Sequence, residues 1–99
     1  MMTIKTEKND NALAVFLEGR LDTNTAPELD ETLKSSLEGV AELTLDLEKL
    51  EYLSSAGLRV LLSAQKTMNK QGTMVVKNVN ETIMEIFEVT GFSDILTIQ

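Results

Sequence analysis

The sequence predicts an α/β fold of element order ββαβαβαβ, a mixed β-sheet with its helices mainly on one face. Three observations carry that expectation. Apolar and polar residues alternate in short runs of strand length, and apolar residues recur at helical spacing in the longer segments between them. Strands separated by helices also favour right-handed parallel crossovers. At 99 residues the chain is long enough for one hydrophobic core and too short for two, so residues 1–99 are expected to form a single domain.

The elements follow in order. Ile4 to Lys8 alternates weakly, Asn9, Asp10 and Asn11 form a turn cluster, and Ala12 to Glu18 is a run of strand length, apolar without a break as far as Leu17. This predicts an opening hairpin whose second strand is buried on both faces. Thr25, Ala26, Pro27 and Glu28 match a capping box with proline near the helix start. Ala26, Leu29, Leu33, Leu37 and Val40 then recur at helical spacing, so a first helix is expected from Ala26 to Glu38 with Gly39 as its stop.

Leu43, Leu45 and Leu47 alternate with Glu42, Thr44 and Asp46, the pattern of a strand with one buried face. After Tyr52 and Leu53 come two serines, and then Leu58, Val60, Leu61, Leu62, Ala64 and Met68 cover a broad arc of a second helix. Arg59, Ser63, Lys66 and Lys70 occupy its other side. Thr73 to Lys77 is a short apolar run expected as a central strand. Asn80 is placed to cap a third helix, Val79 and Met84 to staple its start, and Gly91 with Phe92 packing back on Phe87 to end it. Ile95 to Ile98 closes the chain as a short strand.

Composition narrows the function. Only Phe16, Tyr52, Phe87 and Phe92 are aromatic, so the core must be aliphatic. The chain has neither cysteine nor histidine, which removes the usual general base, the usual nucleophile–base pairs and nearly every zinc site. A net charge of −7 argues against nucleic acid and for a partner with a basic surface. The first residues lack the basic-then-apolar pattern of a secretory signal, and the longest apolar run, Ala12 to Leu17, is too short to enter a membrane. The expectation is a cytoplasmic protein with no membrane insertion, no cofactor and no metal.

Enzyme motifs fail on their spacing. Ser63, Ala64, Gln65 and Lys66 satisfy S-x-x-K without the motifs that accompany it in lactamases, and Leu53 stands where a nucleophile elbow around Ser55 needs its first glycine. Asp22 and Asn24 open like a calcium loop, but Pro27 and Leu33 occupy its sixth and twelfth positions. The glycines are isolated, so no phosphate-cradling loop exists.

What remains is Ser54 and Ser55, placed where a buried strand runs into a helix. First-turn N–H groups lack partners there and the helix dipole favours negative charge, so the position suits a phosphate. It also suits a plain N-cap, the commonest reason for serine before a helix. Gly57 serves either close helix–strand packing or a partner contact, and Asp22 either a turn or a site.

These residues resemble the STAS family, shared by bacterial anti-sigma factor antagonists and the tails of sulfate transporters. The likeness runs through Gly19, Arg20, Leu21 and Asp22, then from Leu45, Asp46 and Leu47 to Ser54, Ser55, Ala56, Gly57 and Leu58, and ends at Val89, Thr90, Gly91 and Phe92. A domain of this length without membrane helices looks more like the antagonist branch. The resemblance implies partner switching: the unphosphorylated antagonist binds an anti-sigma factor serine kinase and frees the sigma factor, phosphorylation releases the complex, and a serine phosphatase resets it. By position the phosphoacceptor falls on Ser55, with Ser54 the second choice, because the family has Asp before the serine and Ser or Thr after it where this chain has Ser54 and Ala56. Asp22 corresponds to the family's acidic residue near the phosphosite. The implied partner surface is Asp22, Thr23, Asn24, Ser54, Ser55, Ala56, Gly57 and Arg59, with no catalytic residue. The alternative is a STAS subunit or scaffold module of a transporter or signalling complex that is never phosphorylated.

Overall fold

The computed structural model describes residues 2–99. They form strands β1 (Met2–Asn9), β2 (Ala12–Leu21), β3 (Glu42–Leu53) and β4 (Thr73–Lys77), helices α1 (Ala26–Ser36), α2 (Ser55–Gln71) and α3 (Glu81–Thr90), and a 3-10 turn at Phe92–Asp94. The sheet order is β1-β2-β3-β4, antiparallel between β1 and β2 and parallel thereafter. The opening hairpin is as expected, with Asn9 paired to Ala12 and Asp10 turning the chain at φ +55°, a conformation that aspartate tolerates better than most residues. α1 and α2 are the crossovers that bring successive strands back parallel.

The helices share one side of the sheet. Leu13, Val15 and Leu17 of β2, Leu43, Leu45 and Leu47 of β3, and Met74 and Val76 of β4 are buried in one cluster with Leu29 and Leu33 of α1, Leu61 and Met68 of α2, and Ile83 and Phe87 of α3. The other face carries Ala12, Ala14, Phe16, Thr44, Asp46 and Val75, all half-buried. Burial of β2 on both faces is therefore corrected to one. A run of six apolar residues does not distinguish the two cases, and here no helix crosses to the second side. Phe16 lies instead in a shallow depression with Thr3, Lys5, Glu48 and Lys49.

β3 carries two irregularities. Phe16 pairs with Asp46 but Glu18 with Lys49, and Gly19 pairs with Leu50 but Arg20 with Tyr52, so β3 has one extra residue at each shift. Its buried positions consequently slip from every second residue (Leu43, Leu45, Leu47) to every third (Leu50, Leu53) while staying on the core side. Asp46 anchors the first shift: one carboxylate oxygen accepts the Glu48 N–H at 3.0 Å and the other the Asn78 side-chain amide at 2.8 Å.

Local signals hold at α3 and give way at α1. Asn80 caps α3 by accepting the Ile83 N–H at 2.9 Å and donates its amide to the Leu50 carbonyl at 2.7 Å; Gly91 closes the helix at φ +82°. At α1, Thr25 does not form the expected capping box, because its hydroxyl turns back to donate to the Arg20 carbonyl at 2.8 Å. That helix ends at Ser36, two residues early, and the Gln71 side chain of α2 satisfies the Leu37 and Val40 carbonyls beyond it.

The sheet's last edge also differs from expectation. β4 is the edge strand, and the expected strand from Ile95 to Ile98 reduces to a single parallel bridge between Ile98 and Val76. Ile95 and Leu96 instead donate their N–H groups to the Phe92 carbonyl, at 3.0 and 2.9 Å, and so continue the turn at Phe92–Asp94. What is left grips one position, with the Val76 N–H donating to Thr97 at 2.8 Å and the Gln99 N–H to Val76 at 2.9 Å.

Candidate functional site

β2 and β3 end side by side, Leu21 opposite Leu53. The next residue after β3, Ser54, donates its N–H to the Leu21 carbonyl at 2.9 Å, which sets the start of α2 against the loop carrying Asp22. The carboxyl ends of neighbouring parallel strands are where open α/β sheets place their sites.

The two serines divide the readings that the sequence leaves open. Ser54 is extended (φ −92°, ψ 173°) and its hydroxyl accepts the Gly57 N–H at 3.3 Å, so Ser54 is the N-cap. Ser55 is the first helical residue and is exposed. Behind them Gly57 is buried: a Cβ there would lie 2.7 Å from Leu21 Cγ and 2.8 Å from Leu53 Cδ1. Gly57 is thus the point where α2 crosses the two strand ends, and it shapes the site from beneath. Ala56 is half-buried against the same core, while Arg59 is exposed one turn further along the helix.

Asp22 is a turn residue of the candidate site. Its Oδ1 accepts the N–H groups of Asn24 at 3.0 Å and Thr25 at 3.1 Å, and the Asp22 N–H donates to the Thr25 hydroxyl at 2.8 Å. The Thr25 N–H above all holds its carboxyl below the usual range, opposed by desolvation and aided by the Asn24 N–H. Thr23 and Asn24 are exposed at the tip of this loop.

Two neighbours complete the cluster. Asp22 Oδ2 is 4.0 Å from Arg20 Nε, and the Arg20 guanidinium lies 4.3 Å above the ring of Tyr52. Nothing in the sequence marks Tyr52 for this role. Regular pairing continued from Phe16 and Asp46 would set Arg20 opposite Leu50, and the two extra residues of β3 bring Tyr52 there instead. The cluster offers an exposed hydroxyl on a helix N-terminus beside a carboxylate held ionised. An anion at Ser55 is welcome to the helix. Among the described residues, no helix is long and apolar enough to cross a membrane.

This fold and site define a STAS-domain protein: the model of that family matches residues 3–99, and the chain belongs to it. Among curated relatives, the anti-sigma-B factor antagonist of Bacillus subtilis is 32% identical over 98 residues, a match that spans 98% of this chain and 90% of that one. The protein of the same name from Staphylococcus aureus is 30% identical, over 96% of this chain and 90% of its own. Among solved structures, an anti-sigma factor antagonist from Mycobacterium paratuberculosis superposes with a TM-score of 0.89 at 23% identity, covering 99% of this chain and 85% of that one. The Bacillus cell fate determinant SpoIIAA in its phosphorylated form gives a TM-score of 0.77 at 16% identity, covering 98% and 91%. These two structures share the fold.

Proposed function

We propose that the protein is an anti-sigma factor antagonist that acts by partner switching, with Ser55 as its phosphoacceptor. The observation that supports this most is the division between the serines: Ser54 holds the helix as its cap, and Ser55 stands exposed beside it. In the unphosphorylated state the loop of Asp22, Thr23 and Asn24 and the first turns of α2 bind an anti-sigma factor that is also a serine kinase, and the sigma factor goes free. Phosphate on Ser55 breaks that complex, and a serine phosphatase restores it. The protein is a binding module of the cytoplasm and catalyses nothing.

The energetics are of a reachable size. To lower affinity ~100- to 1000-fold, phosphorylation must cost the complex roughly 3–4 kcal/mol. A phosphoserine adds about 1.5–2 negative charges. At a helix N-terminus these leave the fold intact, so the cost falls on the interface, through desolvation of the added charge and a clash in a close contact.

The test is a parallel capture from native lysate with wild type, Ser55→Ala and Ser55→Asp as baits, read by mass spectrometry. A kinase-like protein held by Ser55→Ala and lost by Ser55→Asp is the expected result. Equal retention of one transporter or scaffold protein by all three baits overturns it in favour of an unphosphorylated structural subunit.

A further inference from the structure

We propose that Arg59 receives the phosphate of Ser55, so that modification closes an arginine–phosphate pair along one face of α2. The inference rests on the reading of Ser55 as acceptor and goes beyond it by naming the group that answers the phosphate.

The chain has two arginines, at positions 20 and 59, and they differ in what engages them. Arg20 is occupied by the Tyr52 ring at 4.3 Å and by the Asp22 carboxylate at 4.0 Å. Arg59 is exposed, and among the described residues no carboxylate lies within 4.0 Å of it. Ser55 and Arg59 both lie in α2, four residues apart, and so share a face of the helix. Helical side chains lean toward the N-terminus, so an arm as long as that of arginine at position 59 can reach back to the first turn, where Ser55 sits. A guanidinium meets phosphate oxygens through paired N–H donors, a geometry that lysine lacks.

The pair has a consequence for the switch. In the unmodified chain Arg59 is free to meet an acidic group of the partner. Once phosphate holds it, the surface has gained an anion and lost a cation in one step.

The test places phosphoserine at position 55 by nonsense suppression, which needs no kinase, and follows the phosphate's second ionisation by phosphorus NMR. In Arg59→Ala that pKa is expected to rise by about 0.5 unit above the value in the otherwise unchanged chain, and in Arg59→Lys by about half as much. Arg20→Ala is expected to leave it in place. A pKa unmoved by Arg59→Ala, or moved by Arg20→Ala instead, overturns the assignment. A wrong acceptor shows itself separately, as kinase-driven phosphorylation that persists in Ser55→Ala.

Discussion

The N–H of Ser54 donates to the carbonyl of Leu21 at 2.9 Å, so the cap of α2 is bonded to the last residue of β2. The residues that follow these two, Asp22 and Ser55, belong to the candidate site. One backbone bond thus sets a carboxylate loop against the start of a helix. The site needs no pocket to hold it together, because two strand ends and Gly57 already fix the spacing.

The two serines should separate in experiment. Ser54→Ala removes the acceptor for the Gly57 N–H and is expected to cost about 1 kcal/mol, a fall in Tm of roughly 5 °C for a domain this size. Ser55→Ala, at an exposed position, should stay within about 0.5 kcal/mol of wild type. Thermal melts of both variants check this, and equal losses would contradict the assignment of the cap.

Gly57 and Gly72 make a graded pair. A Cβ at Gly57 meets side-chain atoms of Leu21 and Leu53, both tightly packed, and Gly57→Ala should cost about 1–3 kcal/mol. At Gly72 the Cβ would lie 1.9 Å from the Ala41 carbonyl oxygen, which already accepts the Thr73 N–H at 2.9 Å. Backbone yields less readily than a leucine methyl, so Gly72→Ala is expected to be the worse of the two in urea unfolding. The reverse order would mean the α2–β4 junction is looser than its geometry.

Asp22 should leave a mark on the pH profile. Its folded pKa lies below the ordinary carboxylate value, so the unfolded chain binds its proton first as pH falls. The stabilisation it provides is therefore complete above the unfolded value of about 3.9 and is lost as pH drops through the lower folded value. Asp22→Asn, which keeps an acceptor for Asn24 and Thr25 but does not titrate, should flatten the acid limb of stability against pH. An unchanged acid limb in urea titrations would count against this account.

Gln65 is an opportunity for stabilisation. It is 8% exposed on α2, its amide donates to Asn69 Oδ1 at 2.8 Å, and its own oxygen is buried without a partner. Gln65→Met keeps the length and removes the orphaned acceptor, with an expected gain of about 1 kcal/mol. A lower Tm in this variant would show that the amide is satisfied in solution.

Much of this protein was legible residue by residue. Asn80 and Gly91 bound α3 as their local chemistry requires, and the leucines of β3 and α2 face the core as their spacing says. The serines were recognisable as a helix start, since capping depends on two or three neighbouring residues. Thr25 shows the limit of such signals: it matches a capping box, but its hydroxyl found the Arg20 carbonyl, which the turn at Asp22 brings within 2.8 Å.

The sequence by itself determined the order of elements as far as α3 and the aliphatic core, because periodicity and capping act within one turn or one strand. Only the tertiary structure decided that β2 is buried on one face, that Ser54 caps and Ser55 is exposed, and that Arg20 meets Tyr52. The reason is register. Two extra residues in β3 move every later partner along β2, and a shift of that kind is set by packing across the sheet between residues some thirty positions apart, which no local pattern records.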